Sequence, residues 1–214
     1  MKTGFSSKDG IFIVEKMIAA VQANKQYLSD IDGAIGDGDH GINMNRGFTQ
    51  CAAKLKETPV SLDQALKILS MSLMMVGGSM GPLYGIFFKS MSAAAADCET
   101  IDISVAGDML AAALTGLQKI SDAKPGDKTL MDALVPAVEA YQRMAAGGAS
   151  FESALAAMKN AAEQGRDSTK EMMAKKGRSS RLGERSRGVI DAGAASCALL
   201  LGALADGATE LLNP

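Results

Sequence analysis

A chain of 214 residues with a formal net charge of −2 can bury a sizeable core, and it lacks the basic excess that nucleic-acid binding needs. Aromatic residues are only 4% and Trp is absent, while Ala and Met abound, which favours helices over sheets. Cys51, Cys98 and Cys197 are an odd, scattered set without metal spacing, so a reducing, cytoplasmic setting is expected.

Lys8, Glu15 and Lys16 interrupt any apolar run at the start, so no signal peptide is predicted. Ile11, Val14, Ile18, Val21 and Leu28 recur at helical spacing and predict a first long helix ending near Ser29. A loop from Asp30 to Gly41 follows, and a second helix is expected from about Asn43 to Leu55. Ser61 and Gln64 form a capping box that opens a third helix reaching Val76. The stretch Ile68 to Phe88 is uncharged and long enough to span a bilayer. Gly77-Gly78-Ser79-Met80-Gly81-Pro82 breaks it, however, and reads as a helix end, a turn and a fourth helix with Pro82 at its first position. No membrane segment is therefore expected.

The fourth helix should end near Ala96. Ser104 can cap a fifth, with Val105, Met109, Leu117 and Ile120 on its buried side. Pro125-Gly126 marks a turn before a sixth helix from Leu130 to Ala146. Ser150 caps a seventh that runs to about Lys175, and an Arg-rich loop from Lys176 to Val189 leads to an eighth carrying Ala194, Ala198, Leu201 and Leu212. No strand and no interdomain linker is predicted, so residues 1–214 read as one all-α domain. The chemistry-bearing loops follow helices one, three, five and seven. In an antiparallel up-and-down arrangement they share one rim.

The stretch from Asp30 to Gly47 holds four carboxylates, the only His and five Gly. Crowded carboxylates on a Gly-rich loop call for a hard cation, and Mg²⁺ is usual where phosphate supplies further oxygens. An EF-hand is excluded, because Gly41 stands where the third acidic ligand belongs and Phe48 where the bidentate Glu belongs. Gly77-Gly78-Ser79 at a helix start suits an anion, although a plain turn would look the same. Arg178, Arg181, Arg185 and Arg187 suit a phosphate clamp, against the alternative of a solvated loop. His40 is best read as hydrogen bonding to phosphate, with a phosphohistidine as the lesser option and a metal ligand disfavoured because hard cations prefer oxygen. Neither a Walker motif nor a protein-kinase Gly-rich loop is present.

Four runs carry a resemblance: Ile35 to Phe48, Gly77 to Gly85, Pro125 to Thr129, and Lys176 to Gly193. Together they resemble the nucleotide-binding L subunits (DhaL, or Dak2-type domains) of dihydroxyacetone kinases. The resemblance implies an eight-helix barrel with ADP or ATP at one rim, held through two Mg²⁺ ions on Asp32, Asp37 and Asp39. It places nucleotide contacts at His40, Gly41, Ile42, Asn43, Ser79, Met80, Ser121, Leu130, Arg178, Asp191, Ala192 and Gly193. With the three carboxylates, Arg178 is assigned to catalysis, and Lys128 could assist. The keto sugar would sit on a separate K subunit, and a phosphotransferase-system protein (the M subunit) could supply the phosphoryl group. Dimerisation is compatible with this reading. Met80, Leu130, Arg181, Val189 and Ala192 depart from the family pattern. They leave open another keto sugar such as a tetrulose, or an ADP-bound regulator that contacts a transcription activator.

Overall fold

The structure is a computed structural model that describes residues 2–56 and 59–213. Helix α1 (Ile11–Ala23) is followed after one residue by α2 (Lys25–Ile35). The expected first helix is thus broken at Asn24, whose side chain donates to the Ala20 carbonyl at 2.9 Å and closes α1. The chain then stays helical through the acidic run, because Leu28 and Ile35, seven residues apart, bury one face of α2. The loop shrinks to residues 36–39, and α3 (His40–Leu55) starts three residues earlier than expected.

Ser61 and Gln64 form the predicted capping box at the start of α4 (Leu62–Met74). The uncharged run divides as expected between α4 and α5 (Met80–Ala94), but Pro82 is the third residue of α5, not the first. Two short strands, β1 (Gly4–Ser6) and β2 (Thr100–Asp102), pair antiparallel, where no strand was expected. Asp102 rather than Ser104 caps α6 (Ile103–Gln118): its Oδ1 accepts from the Ser104 and Val105 N–H groups, each at 2.9 Å. Ile120 lies beyond that helix and is exposed, contrary to expectation. Helix α7 (Met131–Ala146) is followed by α8 (Phe151–Ser168), capped by Ser150 as predicted. A 3₁₀ turn at Thr169–Glu171 ends α8 short of Lys175. A second 3₁₀ segment, Arg178–Ser186, precedes α9 (Ala192–Leu212).

From α2 onward each helix packs on the next, and α9 closes the ring on α1. With α1 and α2 as one bent stave, the nine helices among the described residues make an eight-stave, up-and-down barrel. Inside it Phe48, Tyr84, Phe87, Phe88 and Tyr141 are buried, each contributing on the order of 1.5–3 kcal/mol of hydrophobic stabilisation. By length and composition α9 could cross a membrane, but most of it is buried against α1, α7 and α8. The alternation of staves brings the α2–α3, α4–α5, α6–α7 and α8–α9 connections to one rim.

Candidate functional site

Those four connections surround a cavity of about 570 Å³. Asp32 comes from the last turn of α2, while Asp37 and Asp39 flank Gly38, whose φ of +76° lets the chain double back. Oxygen atoms from the three carboxylates lie within 4.8 Å of one another. Asp39 is also the N-cap residue of α3, and Asp32 Oδ2 accepts from the His40 N–H at 3.2 Å. An oxygen-only donor set of three carboxylates fits a hard divalent cation. Arg178 reaches over from the 3₁₀ segment and pairs with Asp37.

The His40 ring is anchored away from the carboxylates. Its Nε2 meets Ser196 Oγ at 2.9 Å, and Ser196 Oγ meets the Tyr84 hydroxyl at 2.7 Å. The Gly193 carbonyl stands beside both hydroxyls as an acceptor, 3.3 Å from Tyr84 Oη and 3.1 Å from Ser196 Oγ. Burial lowers the His40 pKa below its ordinary value, against an opposing pull from Asp32. His40 is therefore a neutral, hydrogen-bonded residue, held by partners on α5 and α9. Sequence reading missed Ser196, and it took Tyr84 only as part of a motif. The usable signal was that a buried Tyr hydroxyl needs a partner.

The N-termini of α5 and α9 also face the cavity. Gly78, with φ of +80°, turns the chain into Ser79, the N-cap residue of α5. No side chain caps this helix, so its first N–H groups are open to an anion. Across the cavity, Asp191 caps α9 by accepting from the Ala194 N–H at 2.8 Å. Met80, Ser121, Leu130, Ala192 and Gly193 also line the cavity, with Leu83, Ala123, Lys128 and Thr129 beside them.

Not every expected residue is there. Gly41, Ile42 and Asn43 do not line the cavity. Gly41 faces α2, Ile42 is exposed, and Asn43 lies beside Gly78. Of the four arginines only Arg178 and Arg181 reach the cavity. Arg187 instead bonds Glu184 Oε2 at 2.6 Å. Lys128 donates to three main-chain carbonyls, which leaves its ammonium no donor for a phosphate.

Burial pushes the Asp191 carboxyl from 3.8 up to about 7, while the Ala194 N–H and Lys128 pull the other way. The folded state thus keeps a proton that the unfolded chain releases near pH 3.8. Stability contributed by this group therefore falls as pH rises across that window and levels off above it. Asp191→Asn keeps an acceptor for Ala194 and cannot ionise. In EDTA its melting temperature should gain on wild type progressively from about pH 4 to about pH 7, then stay parallel. A constant offset over that range would show that the carboxyl is solvated.

The DAK2 domain model matches residues 34–206. The chain is 42% identical over 186 residues to the ADP-binding subunit DhaL of PEP-dependent dihydroxyacetone kinase 1 from Listeria innocua, covering 86% of this chain and 88% of the relative. It is 39% identical over 190 residues to the corresponding Escherichia coli subunit, covering 86% and 89%. The crystal structure of the C. freundii dihydroxyacetone kinase in complex with AMP-PNP and Mg²⁺ superposes with a TM-score of 0.67 at 24% identity, over 92% of this chain and 33% of that one. That last likeness concerns the fold.

Proposed function

Because the chain belongs to the DAK2 domain family, we propose that it is the ADP- or ATP-binding subunit of a dihydroxyacetone-type kinase. It passes a phosphoryl group to a keto sugar held on a separate K subunit. The observation that carries this reading is the convergence of Asp32, Asp37 and Asp39 on a cavity that also receives Arg178 and the N-termini of α5 and α9. Such an arrangement suits a polyphosphate and its counter-ions.

Asp32, Asp37 and Asp39 would hold Mg²⁺, as two ions. The chemistry Mg²⁺ supplies when bound is neutralisation of phosphate charge during transfer. The protein's own groups do the rest. Open N–H groups of α5 orient phosphate oxygens, and Arg178, released from Asp37, pairs with them. Met80 and Leu130 give the nucleotide an apolar wall. The relatives from L. innocua and E. coli are PEP-dependent, which supports ADP that stays bound and is recharged by a phosphotransferase-system phosphoryl donor.

Phosphorylation of dihydroxyacetone, measured with this chain alone and then with its K subunit, tests the proposal. Turnover is expected only with both. Robust turnover by the isolated chain would overturn it, and bound ADP without turnover in the pair would make the chain a regulator.

A further inference from the structure

Lys128 sits where a lysine is seldom placed. Its backbone has φ of +62°, in the left-handed region that favours Gly, and the residue is only 1% exposed. Its ammonium donates to the carbonyls of Met172 at 3.2 Å, Ser186 at 2.5 Å and Val189 at 2.6 Å. Three donors meet three acceptors, so the head group is saturated. Those acceptors bracket the segment from 172 to 189, which carries Arg178 at its tip.

Other bonds tie the same base. Ser186 Oγ accepts from the Ala174 N–H at 2.9 Å and donates to the Gly183 carbonyl at 2.6 Å. The Lys175 N–H donates to the Asp127 carbonyl at 3.1 Å, next to Lys128 itself. Beyond this base, Gly177 and Gly183 have positive φ, with nothing within 4 Å of where a Cβ would stand. The tip meets the rest of the chain through the pairs Arg178 to Asp37 and Lys176 to Asp122 and through packing on α2. The base thus fixes both ends of the segment, and the tip places the Arg178 guanidinium against Asp37 at the cavity.

We propose that Lys128 is a positioning residue: it clasps both ends of the 172–189 segment and so presents Arg178 to the nucleotide, without touching phosphate itself. This rests on the nucleotide-site reading above. The test uses the full chain as wild type, Lys128→Met, Arg178→Ala and the double variant. Calorimetry with ADP and Mg²⁺ should show Lys128→Met weakening binding about tenfold or more, and adding less than about twofold once Arg178 is already Ala. Trypsin in EDTA should cut after residues 178–187 faster in Lys128→Met, with cleavage elsewhere unchanged. Should Lys128→Met not fold, Lys128→Asn takes its place, since Asn tolerates the left-handed backbone and cannot reach the carbonyls.

Wild-type affinity with wild-type protection would overturn the proposal. Multiplicative losses in the double variant would do the same, because they would mean an independent contact with the phosphates. Failure of wild type to bind ADP would instead sink the nucleotide reading, and the trypsin comparison would still decide the clasp.

Discussion

Asp37→Asn should remove the ligand-induced rise in melting temperature and take the activity with it. Asp37 is one of three carboxylates whose oxygens converge within 4.8 Å. Asn keeps the size and one oxygen but loses the charge that holds a hard cation. If transition-state charge stabilisation falls by about 4 kcal/mol, turnover drops roughly 10³-fold. The ligand-free protein should hardly notice. Losing the exposed pair with Arg178 costs about 0–1 kcal/mol, and relief of repulsion among the carboxylates offsets a similar amount. Paired thermal melts check this, first in EDTA and then with Mg²⁺ and ADP. Wild type gains by mass action and the variant should not. A full ligand-induced shift in the variant would remove Asp37 from the metal site.

Gly41→Ala should lower the melting temperature of the ligand-free protein by roughly 6–12 °C, about 3 kcal/mol in a chain of this length. Helix propensity argues the other way, because Ala is favoured over Gly by about 1 kcal/mol. Packing decides the sign. A Cβ at Gly41 would stand 2.7 Å from Ser29 N and 2.6 Å from Ser29 Oγ, with the Lys25 carbonyl closer still. Backbone atoms of α2 cannot turn aside as a side chain can, so α2 must shift and carry Asp32 with it. Gly33→Ala is the control. Gly33 lies in α2, the helix that Gly41 of α3 packs against, and its closest neighbour would be Gly38 Cα at 3.6 Å, an ordinary contact. Melting temperature should be unchanged or slightly higher there. Equal behaviour of the two variants would mean that α2 and α3 do not approach closely at Gly41.

The contrast shows what the sequence made legible and what it did not. Gly41 was expected to be a nucleotide contact because the family resemblance carries that role to it, yet its reason for being Gly is the neighbouring helix. Local rules held where the determinant is local: Ser61 with Gln64, Ser150, and the Gly77–Gly78 break each act within a few residues. Loop alternation then located the rim, and most expected site residues do meet in one cavity. What stayed hidden depends on distant partners. Ser196 lies 156 residues from His40, and the carbonyls around Lys128 lie 44 to 61 residues away. Asp30 and Asp32 look like loop residues until Leu28 and Ile35 are seen to hold that turn in a helix. The two strands were missed because three-residue segments carry no readable alternation.

The seam between α1 and α9 has a kinetic consequence. Every other stave touches a neighbour in sequence, so those contacts can form early and quickly from nearby segments. The seam must wait for the far end of the chain, as must the α2–α9 contacts, and the β1–β2 pairing must wait for its middle. Asp32, Asp37 and Asp39 can therefore assemble while the ring is still open. Asp191, Gly193 and Ser196 arrive only with the final stave. The proposed cation ligands thus come from staves that close locally, whereas the α9 side of the proposed nucleotide wall depends on the last stave of the ring.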